Sequence, residues 1–263
     1  MSSTAHKETI RQEFTQQAQA YASNPVVADA TRLERLVDMV RPAAGARVLD
    51  VATGPGYVAM AFAEAGCEVV GLDLTEAPLA IAEQTRQKRG LTRLSFQVGD
   101  AEQMPFEARS FDIVVSRLAL HHWEEPQRML QEMVRVCRSR GLVVIEDLVA
   151  SEIPSRADYQ NHFERLRDPS HTRALPIREL IGLLTDCGLE VEQIATGALS
   201  QDVERWLANS HTPPERAAQV RALLERDERE DLSGTQPFRQ EGRLHFRQRM
   251  ATFVARKLTG NGI

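Results

Sequence analysis

The stretch that decides the fold is VLDVATGPGYVA, from Val48 to Ala59, which joins a short apolar strand to a helix through a glycine turn. The two glycines, Gly54 and Gly56, let the backbone approach a ligand at points where a Cβ would obstruct it. The helix that follows presents free N–H groups at its first turn. A strand, a glycine turn and a helix in this order predict a ligand site at the carboxyl end of a parallel sheet.

Strand and helix patterns alternate on both sides of this turn. Apolar runs of strand length lie at Val48–Ala52, Glu68–Leu72, Leu94–Val98, Phe111–Ser116 and Leu142–Leu148, with helical patterns between them at Tyr57–Ala65, Ala77–Arg89 and Gln127–Cys137. This alternation predicts an α/β fold with a doubly wound, mostly parallel sheet that helices cover on both faces. Two later runs, Leu189–Ala195 and Met250–Ala255, bring the predicted Rossmann-like sheet to seven strands.

The segments outside this alternation predict helical additions to the sheet. Helical spacing over Thr4–Ala22 and Val26–Val40 predicts an N-terminal cap, and the charged, amphipathic stretch Thr212–Glu230 predicts a helical insertion before the last strand. We therefore divide the chain into a cap over residues 1–42, an α/β core over 43–199, an insertion over 200–243 that would cap an acceptor, and a C-terminal strand region over 244–263.

Composition and charge disfavour nucleic acid and membranes as partners. The formal net charge is −5, and no run of lysine or arginine forms the basic stripe that neutralises a phosphate backbone. No stretch approaches the roughly 18 apolar residues of a membrane span, and the N-terminal residues include no apolar targeting segment, so we expect a cytoplasmic protein. The cysteines, Cys67, Cys137 and Cys187, are single and unevenly spaced, which predicts small core residues and no metal site.

Asp50 distinguishes between the ligand classes that the glycine turn allows. Gly54, Gly56 and Ala59 satisfy the G-x-G-x-x-A dinucleotide fingerprint, so a nicotinamide-dependent oxidoreductase is an alternative. A carboxylate four residues before the first glycine would repel a pyrophosphate over the turn, but it would attract an ammonium or a sulfonium. S-adenosylmethionine carries both of these cations. The other interpretation of Asp50 is a cap that binds backbone N–H groups of the turn.

Two further acids end the next two predicted strands. Asp73 lies seventeen residues past Gly56, where a carboxylate can accept both hydroxyls of a ribose. Asp100 can accept a hydrogen bond from an adenine amino group while Ala101 offers its backbone N–H to the ring. Each acid has an alternative role as the cap of a following helix. Because the three loops follow neighbouring strands, we expect them to meet at one edge of the sheet.

Together these stretches resemble the class I S-adenosylmethionine-dependent methyltransferases, in particular those of ubiquinone and menaquinone biosynthesis. The matching stretches are VLDVATGPG at 48–56, VGLDL at 70–74, GDAEQMPF at 99–106, SFDIV at 110–114, LALHHW at 118–123 and RDPSHTR at 167–173. The resemblance implies S-adenosylmethionine as the cofactor, S-adenosylhomocysteine as its product, and O- or C-methylation of a small organic acceptor.

The resemblance also implies which residues would hold the cofactor. The methionine part would meet Asp50, Ala52, Gly54 and Gly56, the ribose would meet Asp73 and Leu74, and the adenine would meet Asp100 and Ala101. Tyr21 is similar to an N-terminal aromatic residue that closes over the cofactor in this family, with plain packing as its alternative role. The candidate set is completed by neighbours of these motifs, namely Thr53, Gly99, Glu102, Ser116, Arg117 and Leu118.

Candidate catalytic residues follow strands four and five, where we expect the reacting methyl group. Methyl transfer is an in-line displacement, so a general base helps only when the attacking atom carries a proton. His121, His122 and Asp147 are the candidates, and we expect at most one of the adjacent histidines to enter the pocket because neighbouring side chains face different directions. His171 lies between two arginines in a lid-like segment whose charges could grip a carboxylate or phosphate. Loop-orienting hydrogen bonds and a salt-bridged surface turn are the alternatives.

The sequence leaves open whether the protein transfers a methyl group and whether it forms a homodimer. A protein that binds S-adenosylmethionine could catalyse a rearrangement without methyl transfer, because binding and transfer are different properties. We expect the apolar face of Val26–Val40 to be exposed, and it is a candidate surface for a homodimer.

Overall fold

A computed structural model describes residues 4–259 of the chain. The strands are β1 Arg47–Val51, β2 Glu68–Asp73, β3 Leu94–Val98, β4 Phe111–Arg117, β5 Cys137–Ala150, β6 Leu175–Pro176, β7 Leu189–Asp202, β8 Phe238–Gln240 and β9 Arg243–Lys257. The helices are α1 Thr4–Ala22, α2 Ala30–Val40, α3 Tyr57–Glu64, α4 Glu76–Arg89, α5 Pro126–Val136, α6 Pro154–Arg167, α7 Ile177–Asp186, α8 Val203–Asn209 and α9 Pro214–Glu230.

Seven of these strands form one continuous sheet in the order β3-β2-β1-β4-β5-β9-β7. β1 pairs in parallel with β2 and β4, β2 with β3, and β4 with β5, whereas β9 runs antiparallel to both β5 and β7. The predicted doubly wound, mostly parallel α/β sheet is therefore confirmed. The short strands β6 and β8 pair with β5 and β9. They were not predicted, because two or three residues carry no recognisable periodicity.

The strand order places the crevice in which ligands bind. The chain order reverses between β1 and β4, which are adjacent in the sheet. At such a switch point the loops that leave the two strands diverge and open a crevice at their carboxyl ends. The loops after β1, β2, β3 and β4 border this crevice.

Apolar side chains on both faces of the parallel strands form two core layers. On one face Val51 packs in a buried cluster with Met133 of α5. On the other face Val48 packs in a second cluster with Phe62 of α3. Burial on both sides explains why these strands are apolar along their whole length instead of alternating with polar residues.

The apolar face predicted for Val26–Val40 lies inside this chain and not on its surface. The helix starts after Asp29, whose side chain caps it. Its apolar residues Leu33, Leu36 and Val40 are buried in the core cluster that α3 shares. The prediction of an exposed dimer face on this helix is therefore wrong, because an amphipathic pattern does not tell whether the covering partner is another chain or the same one.

The segment predicted as an insertion over 200–243 begins and ends inside strands. β7 continues to Asp202 and β9 starts at Arg243, because the two strands pair with each other along almost their whole length. Between them, α8 and α9 pack on α6 around Phe163, Trp206 and Phe246. The helix α8 was not predicted, since seven residues are too few to show a helical period.

The cysteines lie in or against the core, as predicted. Cys67 and Cys137 are buried, and Cys187 is half-buried at the end of α7, where it packs against the core. Over residues 4–259, no group of histidine, cysteine, aspartate or glutamate side chains could hold a metal ion. Within the same range, every helix is too short or too polar to cross a bilayer.

Candidate active site

A first chamber lies at the carboxyl ends of β1, β2, β3 and β4 and contains about 530 Å³ of empty space, part of which is open to solvent. Many of the predicted cofactor residues lie on its walls, together with two residues of the loop after β4. These wall residues are Tyr21, Ala52, Gly54, Asp73, Leu74, Gly99, Ala101, Leu118, His122 and Trp123.

The glycine turn brings bare backbone to this chamber. Gly54 has a φ of 52° and Gly56 a φ of 80°, the left-handed region that favours glycine. A Cβ on Gly54 would come within 3.7 Å of the Tyr21 ring, at the chamber wall. A Cβ on Gly56 would lie 2.8 Å from the Phe96 ring and 3.0 Å from Ala82, so no larger residue fits there without displacement.

We expect Gly56→Ala to lower the free energy of unfolding by about 2–4 kcal/mol. The variant adds left-handed backbone strain of about 1 kcal/mol to overpacking of about 1–3 kcal/mol against Phe96. Gly45→Ala is the matched control, because Gly45 has a φ of 76° and open space around its Cβ position. Urea unfolding of both variants measures the difference, and equal losses of stability would show that the close packing at Gly56 is unimportant.

Asp73 ends β2 and connects the glycine turn to the neighbouring loop. Its Oδ2 accepts a hydrogen bond from the Gly54 N–H at 2.8 Å, and its Oδ1 accepts one from the Thr75 N–H at 2.9 Å. Burial raises the pKa of this carboxyl to about 6 in spite of these bonds. The carboxylate thus lines the chamber and also holds the start of α4. The predicted role in ribose binding is therefore compatible with the alternative role as a helix cap.

Asp50 borders a narrower third chamber, of about 310 Å³, that Arg117 also lines. Its Oδ2 accepts hydrogen bonds from the Thr53 hydroxyl at 2.5 Å and from the Ala59 N–H at 3.0 Å. The carboxylate therefore caps the turn and α3, as the alternative interpretation expected. Burial raises its pKa to about 7. Over residues 4–259 it has no ion-pair partner, so its charge is available to a ligand.

Asp50 and Arg117, which are both buried, fit the amino-acid end of S-adenosylmethionine. Two carboxyls with raised pKa values are stabilised in their ionised form when a cation comes close. Arg117 is buried and donates from Nε to Glu146 at 2.6 Å and from Nη1 to the Val27 carbonyl at 2.9 Å. An ammonium and a carboxylate on one ligand would thus meet an acid, Asp50, and a fixed cation, Arg117, in the same chamber.

The raised pKa values predict opposite pH dependences for stability and for ligand affinity. Both carboxyls have an ordinary pKa of 3.8, against about 7 for Asp50 and about 6 for Asp73 in the fold. Between about pH 4 and 7 these two carboxyls bind more protons in the folded chain than in the unfolded chain, so their contribution to stability is lost as the pH rises. A ligand ammonium prefers ionised carboxylates, so affinity for S-adenosylhomocysteine should rise over the same window.

Thermal melting with and without S-adenosylhomocysteine measures both effects. The increase in Tm that the ligand causes should grow from about pH 5 to about pH 8, because tighter binding stabilises the folded state more. A ligand-induced increase that is constant with pH would contradict the electrostatic role of the two carboxyls.

Several predicted cofactor residues have partners within the protein instead of positions on the first chamber. The Ser116 hydroxyl donates to the Val51 carbonyl at 2.9 Å and connects β4 to β1. Asp100 and Glu102 form ion pairs with Lys7 of α1, at 2.6 and 2.7 Å. Lys7 thus fastens α1 over the loop after β3, a role that the polar N-terminal sequence did not reveal.

A second chamber of about 530 Å³ adjoins the first and is more polar. The two chambers share the side chains of Phe14, Tyr21, Leu118 and His122 as a common wall. The remaining lining comes from the N-terminal cap, the loop after β4, the ends of β5 and α6, the strands β7 and β9, and the helix α8. These residues are Gln17, Asn24, Val26, Val27, His121, Leu148, Arg167, Asp168, Leu199, Gln201, Trp206 and Gln248.

Both His121 and His122 line the second chamber, so the prediction that at most one enters it is wrong. They belong to the 3₁₀ turn Leu120–His122, and their ring centroids are 4.1 Å apart. The prediction assumed the opposed directions of an extended chain. In a turn of three residues, successive side chains diverge by only about 120°, and both rings can stay on the buried side.

Asp147 holds His121 in one orientation. The His121 Nδ1 lies 2.5 Å from Asp147 Oδ1, and the His121 backbone N–H donates to Asp147 Oδ2 at 3.3 Å. The proton therefore resides on Nδ1, which leaves Nε2 as the basic nitrogen. Burial alone would lower the pKa of His121, but the charge of Asp147 and this hydrogen bond outweigh it and raise the pKa.

His122 is the neutral member of the pair. Burial and the neighbouring His121 lower its pKa to about 4. Its Nδ1 lies 3.1 Å from the carbonyl and 3.0 Å from the hydroxyl of Ser170. It lies on the wall that the two chambers share.

The segment Arg167–Arg173 is neither a surface turn nor a lid that presents two cations. His171 is buried, its Nε2 lies 2.9 Å from Asn161 Oδ1, and burial lowers its pKa well below the ordinary value. It lies behind His121, at a centroid distance of 5.3 Å, and is not part of either chamber's lining. Arg173 is exposed in an ion pair with α7, so only Arg167 reaches the second chamber.

Comparisons with known proteins find methyltransferases. Residues 49–145 match the family model of the methyltransferase domain. The chain is 31% identical over 207 residues to the uncharacterized methyltransferase YcgJ of Bacillus subtilis, with 79% of this chain and 82% of YcgJ covered. It is 37% identical over 112 residues to demethylmenaquinone methyltransferase of Renibacterium salmoninarum, but this match covers only 43% of the chain and 45% of that protein.

Solved structures agree with the sequence relatives. The crystal structure of YcgJ matches with a TM-score of 0.82 at 27% identity, covering 88% of this chain and 99% of that one. A putative methyltransferase of Bacillus halodurans matches with the same TM-score at 31% identity, covering 88% of this chain and 100% of its own. These findings support S-adenosylmethionine as the cofactor, and they give no support to an oxidoreductase or to a rearrangement without methyl transfer. The chain therefore belongs to the class I S-adenosylmethionine-dependent methyltransferases.

Proposed function

We propose that this methyltransferase acts on a small organic acceptor in the second chamber and methylates an oxygen or an enolisable carbon. The observation that carries the proposal is the pair of His121 and Asp147, in which the His121 side chain lines a chamber that shares a wall with the first. A positioned base accelerates transfer only when the attacking atom carries a proton. The pair therefore favours a hydroxyl or an enolisable carbon over a tertiary amine or a thioether.

The residues of the first and third chambers would hold the cofactor in this proposal. Asp73 would accept the ribose hydroxyls, and Ala101 would offer its backbone N–H to the adenine. Asp50 and Arg117 would face the ammonium and the carboxylate. Tyr21 lines all three chambers and would close over the cofactor. S-adenosylmethionine, when bound, supplies a methyl group on a positively charged sulfur that leaves readily.

His121 performs the proton chemistry in this scheme. Its Nδ1–H donates to Asp147, so Nε2 accepts the proton that the acceptor hydroxyl or carbon loses. Asp147 then stabilises the imidazolium that forms. The apolar side chains of Phe14 and Leu118 on the common wall keep water away from the attacking atom, which strengthens these electrostatic interactions.

A screen with an isotopically labelled methyl donor tests the proposal. Each hydroxylated compound is paired with its methyl ether, so that the two differ only in the proton that a base would remove. We expect mass spectrometry to find label in the hydroxylated members and none in the ethers. Label confined to amines or thioethers would contradict the proposal.

The net charge of −5 supports a small acceptor over a nucleic acid.

A further inference from the structure

Arg167 reaches the second chamber from the end of α6 with most of its donors free. Its guanidinium carbon lies 4.9 Å from the ring centroid of Trp206, and its Nη1 lies 3.5 Å from Asp168 Oδ2. Its Nε is buried and has no hydrogen-bond partner in the part of the chain that the structure describes. A guanidinium has five N–H donors, so one long ion pair leaves it largely unsatisfied. Such a group is costly to bury unless a ligand completes its hydrogen bonds.

The other polar groups on this side of the chamber are already engaged with one another. Gln201 Nε2 donates to Gln248 Oε1 at 2.9 Å, and Gln248 Nε2 donates to Glu164 Oε1 at 2.7 Å. Asp168 accepts from the hydroxyl of Ser170 at 2.6 Å and from its N–H at 2.9 Å. Among residues 4–259, Arg167 is the only lysine or arginine of this chamber's lining, and its Nε lacks an acceptor.

We infer that the acceptor of this enzyme carries an oxyanion, a carboxylate or a phosphate, which Arg167 binds while the atom to be methylated faces His121. The inference rests on the proposed function, which assigns the acceptor to the second chamber and its reacting atom to His121. A planar guanidinium matches two oxygens of one anionic group, and the cation–π contact with Trp206 holds it at the chamber. The substrate class is therefore hydroxylated organic acids or phosphates, and the corresponding neutral amides should bind poorly.

Titration calorimetry on the full-length enzyme saturated with S-adenosylhomocysteine tests the inference without any methyl transfer. The probes are para-hydroxybenzoate, para-hydroxybenzamide and phenyl phosphate. We expect at least one of the two anions to bind about tenfold or more tightly than the amide, as a charged hydrogen bond would require. Arg167→Gln should abolish this preference. Arg173→Gln, an exposed neighbour outside the chamber, should retain it.

The inference is overturned if the anions and the amide bind with equal affinity, or if none of the probes binds measurably. It is also overturned if Arg167→Gln keeps the preference for anions. Arg167→Lys is a second variant that separates loss of the anion site from misfolding. It retains the positive charge without the paired N–H donors of the guanidinium, so it should keep part of the preference for anions. The Tm and the affinity for S-adenosylhomocysteine of each variant show whether it is folded. A preference for anions without any methylated product would contradict the proposed function and leave standing the assignment of an anion site to Arg167.

Discussion

Replacing His121 with glutamine is expected to lower kcat for methyl transfer by about a hundredfold to ten-thousandfold, the usual contribution of a positioned general base. Affinity for S-adenosylhomocysteine should not change, because His121 lines the second chamber and not the first. The measurement uses whichever acceptor takes up label from the methyl donor. His162→Gln is the matched control, since His162 lies on α6 with its side chain exposed.

The pH dependence of the reaction distinguishes a base from a packing residue at this position. A base must be neutral, so kcat/KM should rise with pH through the raised pKa of His121. Asp147→Asn removes the charge that raises this pKa, so the inflection should move to lower pH while kcat falls. A pH profile that is the same in the wild type and in Asp147→Asn would show that His121 is not the base.

Replacing Asp50 with asparagine is expected to weaken the binding of S-adenosylhomocysteine by about tenfold to a hundredfold, because a charged hydrogen bond to the ligand ammonium is lost. The variant is nearly isosteric, and its amide oxygen can still accept from the Thr53 hydroxyl and the Ala59 N–H. The cap of α3 should therefore survive, and the free energy of unfolding should not decrease. The substitution therefore tests the charge of Asp50 separately from its role as a cap of α3.

Calorimetry and urea unfolding together decide this prediction. Asp38→Asn is the control, because Asp38 is an exposed acid on α2. The Asp50→Asn variant should also lose most of the rise in ligand affinity between about pH 5 and 8, since the group with the higher pKa no longer titrates. Affinity equal to that of the wild type would mean that Asp50 only caps the turn.

The first chamber was predictable because its walls come from short, local patterns. Ala52 and Gly54 follow β1, Asp73 ends β2, and Ala101 follows β3, so each lies where a strand stops. In a parallel sheet such strand ends meet at one edge whatever the rest of the chain does. Local patterns therefore identified these residues. The ion pairs of Lys7 were not predictable, because they depend on how α1 packs over the sheet.

His121 and His122 were predicted near the reacting group, but most of the second chamber was not predictable because distant segments build it. Gln201 and Gln248 meet only because β7 and β9 extend well beyond their apolar centres and pair in one register. Arg167 enters the chamber because Trp206, on a helix that the sequence pattern did not show, supports its guanidinium. Pairings of this kind depend on long-range packing, which residue periodicity does not encode.

A crystal structure of the enzyme with S-adenosylhomocysteine measures directly whether the first chamber is the cofactor site. We predict the adenosine in that chamber, with the ribose hydroxyls within hydrogen-bond distance of Asp73 and the amino group beside Asp50. The thioether sulfur should face the common wall at Leu118 and His122. A ligand that places its adenosine in the second chamber, or its ribose away from Asp73, would contradict the assignment of both chambers.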